Sequence, residues 1–370
     1  MNKLLFITNV EPLPNSREGK SGFTWAIYEH LIHTEYETKL LIISNTTNES
    51  FMSNQLDLFA LKKKTLNVDW NEYRKIFIYP DTLLLSLPEK VLNKTIVFAP
   101  DATSMARWSK YKAYKNDKSV SWIKKLYQYL LAKRFICFED KYIEHVNKYI
   151  VVGINDRRWL RKKLKRSLWS KILYLPHPLV KNAMIDLDNI KIKVYSKKRF
   201  VFSGDMSYSY VGQNIAELSE AFNKFSNDEK LNVLVVGGHN KWVSDILCKS
   251  KGLNVTYIKW VDDYKDICQI GRDVHCVPLI AGAGTKNRVL TALANGLEVI
   301  STPKGVENIR LDGLTHVFVK KRMYSFAQLM LESAKKNYLT KEIEDLLIER
   351  KMFRQKVQKE YFAAMKKILF

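Results

Sequence analysis

The stretch PLIAGAGTKNRVLTALANG, residues 278–296, decides the fold. An apolar strand ends at Leu279, small residues follow, and a helix begins near Thr285. In a parallel sheet this arrangement points backbone N–H groups and the positive end of a helix dipole at whatever lies above the strand end. Lys286 and Arg288 add full positive charges within the first turn. Ligands of doubly wound sheets bind at the carboxyl ends of strands, so the stretch makes a sensible diphosphate site. A tight turn carrying solvated basic residues fits the same spacing.

The pattern continues in both directions. Short β-branched runs at 3–9, 38–44, 73–80, 94–100, 148–152 and 171–175 form one series of expected strands. A second series lies at 199–204, 232–237, 254–260, 274–279, 297–302 and 315–319. These runs are nearly continuous in hydrophobicity, as suits parallel strands covered on both faces. Segments between them, such as 22–34, 119–146, 211–225, 286–295 and 324–337, carry apolar residues at helical spacing. The expected architecture is α/β, with two doubly wound domains. The expected divisions are a first domain at 1–180, a linker at 181–198, a second domain at 199–337 and terminal helices at 338–370. No short fixed repeat is present, which excludes solenoids and propellers.

With 370 residues, 46% of them hydrophobic and 12% aromatic, the chain can bury real cores, which excludes global disorder and a disulfide-stapled miniprotein. Fourteen glycines and nine prolines exclude a collagen-like chain. The N-terminal apolar run is too short for a signal-peptide core, and no stretch reaches 18 apolar residues. Cys137, Cys248, Cys268 and Cys276 show no metal-ligand spacing and are expected to be ordinary core thiols in a reduced cytosolic compartment. The net charge of +23 is unevenly placed. Residues 101–200 hold 25 Lys+Arg against 8 Asp+Glu, and residues 351–370 hold 6 against 1. Such blocks imply an anionic partner.

Two familiar motifs fail. Gly19-Lys20-Ser21 resembles the end of a Walker loop, but Pro14 stands where that loop needs Gly. Gly282-Ala283-Gly284 begins like a dinucleotide fingerprint, but Asn287 replaces its third Gly. Two further glycine turns follow the first strand of each domain: FSGDMSYSYVGQN (202–214) and Arg17-Glu18-Gly19-Lys20-Ser21-Gly22. Each is a possible ligand loop, and each is equally explained by a turn's need for Gly.

The span KWVDDYKDICQIGRDVHCVPLIAGAGTKNRVLTALANGLEVISTPKGVENI (259–309) resembles the C-terminal half of group 1, family 4 type, glycosyltransferases of the GT-B fold. FSGDMSYSYVGQNIAELSEAF (202–222) resembles the first strand–loop–helix of that half. FITNVEPLPNSREGKSG and KYIVVGINDRRWL followed by LPHP fall in the expected order in the first half. The resemblance implies two Rossmann-like domains facing a central cleft, with a nucleotide-sugar donor in the second and the acceptor in the first. It implies sugar transfer with retention, without cofactor or metal. Carried onto this chain, Gly282, Gly284, Thr285, Lys286 and Arg288 lie near the diphosphate, and Gly204 and Asp205 lie in the first loop of the nucleotide domain. Val261 sits near the base, and Gly19 and Gly22 face the donor from the other side.

Two departures matter. Family members carry two glutamates eight positions apart across this helix, where this chain has Ala283 and Thr291. Thr291 can make one hydrogen bond but not a carboxylate's paired contact with a ribose diol. The basic pair usual after the first C-terminal strand is also missing, which shifts phosphate binding to Lys286 and Arg288. Asp101, at the end of the strand before DATSMARW, is the candidate carboxylate for orienting substrates or stabilising the oxocarbenium-like centre. A helix N-cap is its competing role. Glu307, in PKGVEN, is a second candidate. The scattered histidines form no metal-ligand pair, and His177 and His239 end strands where they would line the cleft.

Residues 157–171, RRWLRKKLKRSLWSK, hold eight basic residues, with Leu160, Leu164 and Leu168 on one stripe. An ordinary surface helix fits, as does an interfacial helix on anionic lipid contacted through Arg157, Arg158, Trp159, Arg161, Lys162, Lys165 and Trp169. The expected partners are a nucleotide sugar, a glycan or lipid-linked acceptor and an anionic membrane surface, at the cytoplasmic face. Nucleic acid is disfavoured, because no binding fold with base-stacking elements is present. The competing functions are an inverting transferase of the same fold, a sugar-nucleotide epimerase, and a catalytically inert carbohydrate-binding relative.

Overall fold

The computed structural model describes residues 3–14, 19–43, 68–225, 229–261 and 263–369. Arg17, Glu18, Ser44 and Asp262 lie outside the described residues. Among the described residues, all twelve expected strands are present. In the first series they are β1 (Lys3–Thr8), β2 (Glu37–Ile42), β3 (Lys75–Tyr79), β4 (Thr95–Ala99), β5 (Lys148–Val151) and β6 (Ile172–Tyr174). In the second they are β7 (Arg199–Phe202), β8 (Leu231–Val236), β9 (Leu253–Ile258), β10 (Asp273–Val277), β11 (Glu298–Ser301) and β12 (Val317–Val319). They form two six-stranded sheets, ordered β2-β1-β3-β4-β5-β6 and β12-β11-β10-β7-β8-β9, and every pairing is parallel. The helices are α1 (Gly19–Ile32), α2 (Thr103–Asn116), α3 (Trp122–His145), α4 (Ile154–Lys163), α5 (Tyr208–Lys224), α6 (Lys241–Leu247), α7 (Asn287–Ala294), α8 (Met323–Lys335) and α9 (Thr340–Leu369).

The chain forms two compact units. The first comprises Met1–Met105, Leu131–Asn182 and Glu360–Phe370; the second comprises Ala106–Leu130 and Ala183–Lys359. In the first unit, residues alternate along each strand between two cores. Ile76, Ile78, Val97, Ala99, Tyr149 and Val151 pack on one face of the sheet. Phe77, Tyr79, Ile96, Phe98, Ile150 and Val152 pack on the other. Both faces are dry, which is why these strands read as continuous apolar runs. The second core also takes Tyr361, Met365, Ile368 and Leu369 from the end of α9. The last carbonyls of that helix accept from Lys75 Nζ (2.8 Å at Leu369) and Lys148 Nζ (2.7 Å at Ile368), cations placed where the helix dipole favours them.

In the second unit, irregular chain from Ala183 to Lys198 is fastened to the sheet's helices. Asn295 Oδ1 accepts from Ile185 N at 3.0 Å, and its Nδ2 donates to Ala183 O at 2.8 Å. Lys198, at the amino end of β7, forms a buried ion pair with Glu298 at the start of β11, 2.8 Å apart. Tyr338 donates to the same carboxylate. Strand order reverses between β1 and β3 in the first sheet and between β7 and β10 in the second, so each unit has a topological switch point.

The cysteines depart from the expectation of four core thiols. Cys268 and Cys276 are buried, but Cys137 and Cys248 are exposed. Cys137 lies on the outward side of α3, and Cys248 caps the C-terminus of α6.

Candidate functional site

At the switch point of the second sheet, β7 opens into Ser203–Ser207 before α5. Gly204 has φ +81, and a side chain there would meet the Arg288 guanidinium at 2.9 Å. Arg288 reaches over from the first turn of α7. Its Nη1 donates to Ser203 O and its Nη2 to Asp205 O, each at 2.6 Å. The arginine therefore supplies the cation that the sequence of this loop lacks. Burial lowers its pKa, and Asp205 opposes that shift. A guanidinium keeps its charge through such a perturbation. Asp205 Oδ1 accepts from Ser207 N at 2.9 Å, which fixes the turn. Asn240, after β8, completes the brace: Nδ2 donates to Gly204 O (2.7 Å) and Val236 O (2.6 Å). Sequence reading missed Asn240, because its role depends on neighbours 36 residues away.

The loop after β10 lies beside it. Gly282 (φ +129) and Gly284 (φ +67) take conformations that favour glycine. They let Lys286 curl back, so that its Nζ donates to the carbonyls of Ala283 and of Gly284, the latter at 3.1 Å. Ser109 Oγ accepts from Gly282 N at 3.1 Å, and Asn308 Nδ2 donates to Gly284 O at 2.9 Å. Lys286, the N-cap residue of α7, makes no side-chain bond to that helix. The first-turn amides of α7, Lys286 and Arg288 thus lie at the carboxyl edge of the sheet, where helix N-termini favour anions. Asn287 Oδ1, at the first position of the helix, is buried without a hydrogen-bond partner. It is an acceptor suited to a sugar or ribose hydroxyl. The only sequence signal for it was its place as the residue that spoils the dinucleotide fingerprint. Thr285 sits in the loop itself, and Thr291 lies on the second turn of α7, half-buried. Glu307, after β11, pairs with Lys304 at 2.7 Å. Val261 follows β9, the edge strand, two strands out from β7.

The remaining candidates lie in the first unit. Gly19 begins α1. The space that a side chain on Gly22 would take is filled by Val180, 2.7 Å away, so this glycine lets α1 pack closely. Asp101 lies two residues beyond β4, at the carboxyl edge of the sheet. The amides at the start of α2 are held by other carboxylates: Asp156 accepts from Ala102 N at 2.9 Å, and Glu139 accepts from Ser104 N at 3.0 Å. His177 is buried and stacked on Phe23 at 5.0 Å, and burial lowers it to about 4, so it is neutral at ordinary pH. His239 is exposed after β8.

Asp81, Glu139 and Asp156 are buried carboxylates that the sequence did not announce. Burial pushes Asp81 up to about 6, against the Tyr149 hydroxyl that donates to it at 2.8 Å. Burial pushes Glu139 up to about 8, against its bonds from Ser104. Both folded values lie above the ordinary 3.8 and 4.5 of an exposed Asp and Glu. The folded chain therefore holds protons that the unfolded chain has released, and stability falls as pH rises from about 4.5 to 8. Glu139→Gln keeps the acceptor for Ser104 and should flatten that slope, raising stability at pH 8 by on the order of a few kcal/mol. Urea unfolding at pH 5 and pH 8 measures it; an unchanged slope contradicts the assignment.

The basic block 157–171 is not one helix. α4 ends at Lys163, and a 3-10 turn, Arg166–Leu168, follows. Leu160, Leu164 and Leu168 are all buried in the core of the first unit. Trp159 Nε1 donates to Ser104 Oγ at 2.8 Å, and Arg161 Nη2 donates to Trp169 O at 2.9 Å. Arg157 is half-buried, while Arg158, Lys162, Lys165 and Trp169 face outward. Among the described residues, no helix is long and apolar enough to cross a membrane, and no cluster of His, Cys, Asp and Glu is arranged to hold a metal ion.

Residues 197–335 match the family model of group 1 glycosyl transferases. No curated protein matches the chain in sequence. Several solved structures share the fold along nearly the whole length. Sucrose-phosphate synthase from Thermosynechococcus elongatus is 13% identical, with a TM-score of 0.60 over 99% of this chain and 97% of that one. WaaG, a glycosyltransferase involved in lipopolysaccharide biosynthesis, is 10% identical, with a TM-score of 0.59 over 98% of each chain. Anabaena HepE, solved with UDP and glucose, is 9% identical, with a TM-score of 0.58 over 100% and 99%. The architecture is GT-B, with two parallel-sheet α/β domains, and residues 197–335 are a group 1 glycosyltransferase domain.

Proposed function

We propose that the chain transfers a sugar from a nucleotide-sugar donor to a glycan or lipid-linked acceptor, with retention of configuration, in building a surface polysaccharide or glycolipid. It works peripherally at an anionic membrane, on the cytoplasmic face. The observation that carries the reading is the cationic cradle of Lys286, Arg288 and the first-turn amides of α7 at the switch point of the second sheet. The UDP and glucose bound by HepE and the lipopolysaccharide role of WaaG support the same class of donor and acceptor.

In this reading the bond from the anomeric carbon to the β-phosphate oxygen breaks, and negative charge grows on the leaving diphosphate. Lys286 and Arg288 stabilise that charge, a role that preorganised cations fill well and that calls for no metal. The acceptor oxygen attacks from the face the diphosphate leaves, and its proton passes to a β-phosphate oxygen. Gly204, Asp205, Gly282, Gly284 and Thr285 shape the cradle, Val261 lies toward the base, and Thr291 bonds the ribose once. Gly19 and Gly22 are the further donor-binding candidates, on the first turn of α1. Asp101 and Glu307 orient substrate or stabilise the oxocarbenium-like carbon.

The test is nucleoside diphosphate release from a panel of nucleotide sugars with lipid-linked acceptors, with the product anomer read by NMR. Release with a retained anomer supports the reading. An inverted product contradicts retention, and no release with any pair favours the inert carbohydrate binder that the missing ribose glutamate at Thr291 suggests.

A further inference from the structure

Helix α3 leaves one face uncovered along its whole length. At 3.6 residues per turn, Trp122, Ile123, Leu126, Tyr127 and Leu130 fall on one arc, and Lys133, Arg134, Cys137 and Lys141 continue it within about 140°. All nine are exposed, the apolar five ranging from 45% at Leu126 to 71% at Trp122. The opposite side carries Ala132, Glu139 and Ile143, all fully buried. A helix at a protein surface ordinarily turns polar residues outward; here an arc that holds Trp, Ile, Tyr and two Leu is left outside. The charge along it is mostly positive, with Glu144 at its far end paired to Lys165 at 3.9 Å. Residues 118–138 contain five Lys or Arg and no Asp or Glu.

We propose that this face of α3 is the surface that docks the protein on an anionic bilayer. Its first two turns enter the boundary between headgroups and acyl chains, where Trp and Tyr are favoured. Its second half sets Lys133, Arg134 and Lys141 against lipid phosphates. Charge complementarity selects this occupant. A second copy of the chain meeting the face about a two-fold axis would bury these cations against like cations or against apolar side chains, whereas an anionic interface satisfies both halves of the arc. The proposal rests on the peripheral-membrane reading above and moves the main contact from residues 157–171, whose leucines are spent in the core, to α3.

The test is co-sedimentation of the full chain with vesicles of phosphatidylcholine, alone or mixed with phosphatidylglycerol, at several salt concentrations. Binding is expected only with the anionic lipid, weakening as salt rises. Leu126→Gln with Leu130→Gln should lower the partition coefficient more than about tenfold. Lys133→Gln with Arg134→Gln should lower it about thirtyfold, at roughly 1 kcal/mol per cation. Arg158→Gln with Lys162→Gln should change it less than about threefold. Because these side chains are exposed, the melting temperature and diphosphate release with a soluble acceptor should hold for every variant. Vesicle binding that survives the leucine pair overturns the assignment to α3 and leaves the membrane reading intact. Absence of wild-type binding overturns both. A dimer in solution that the leucine pair dissociates, without vesicle binding, overturns the lipid in favour of a second copy.

Discussion

Arg288→Ala should lower kcat/KM for sugar transfer by about 10²–10³-fold, the usual loss when one preorganised charge donor at a developing anion is removed. The effect has two sources that point the same way. The guanidinium is a full charge at the phosphate edge, and it also braces the Ser203–Ser207 loop through its two 2.6 Å bonds to Ser203 and Asp205. Arg288→Lys should recover only part of the rate, because one ammonium cannot span both carbonyls with the geometry of a planar fork. Gly204→Ala should reproduce much of the loss from the other side: the added methyl falls 2.9 Å from the guanidinium, at a φ of +81 that alanine adopts poorly. Steady-state diphosphate release measures all three, and a rate within threefold of wild type for Arg288→Ala contradicts the role.

Lys198→Met should destabilise the second unit by about 3–5 kcal/mol, since it leaves Glu298 charged, buried and without its cation. The side chains of the pair are 1% and 3% exposed. Lys198 Nζ also donates to Ser333 Oγ at 3.1 Å and lies 4.3 Å from the Tyr338 ring centroid, so the substitution opens three contacts at once. Burial lowers the Lys198 pKa and Glu298 opposes it, the signature of a pair held together against desolvation. Lys198→Met with Glu298→Leu should restore most of the stability, because Tyr338 keeps His316 Nδ1 at 2.9 Å as a partner. The pair lies at the amino ends of β7 and β11, and the cradle lies at the carboxyl ends. Nucleotide affinity of the folded protein should therefore stay unchanged, as titration calorimetry would show. Denaturant curves of the two variants separate the cases: equal losses contradict a desolvated-charge origin.

The twelve strands were legible because each is a short apolar run, and in central strands such as β3, β4 and β10 burial on both faces erases the alternation, while the edge strands β2, β9 and β12 stay partly exposed. Part of the cradle was legible too, since Gly282, Gly284, Lys286 and Arg288 lie within seven residues of one another. What the sequence hid is contact between distant residues. Nothing local shows that Arg288 would lie on Gly204, that Asn240 would tie the loops after β7 and β8, or that Ser109 would accept from Gly282 across 173 positions. That last contact, with Lys110 over the Tyr210 ring at 4.3 Å, is part of why residues 106–130 group with the second unit. The basic block shows the opposite failure. A leucine stripe among cations reads the same whether the leucines meet a core or a lipid, and here Leu160, Leu164 and Leu168 meet the core. On α3 apolar residues occur on both sides of the helix, so its period conceals which side is outside.

Sugar transfer by this chain requires that the second unit bind a nucleoside diphosphate through the α7 cradle. A calorimetric and thermal-shift titration of the full chain with a panel of nucleoside diphosphates, beside Lys286→Ala, measures this most directly. The expected result is stabilisation by at least one of them, about 2.7 kcal/mol at a hundredfold excess over Kd, and a clear loss of affinity in Lys286→Ala. Absence of stabilisation by every diphosphate and nucleotide sugar, or equal affinity in the variant, would contradict it.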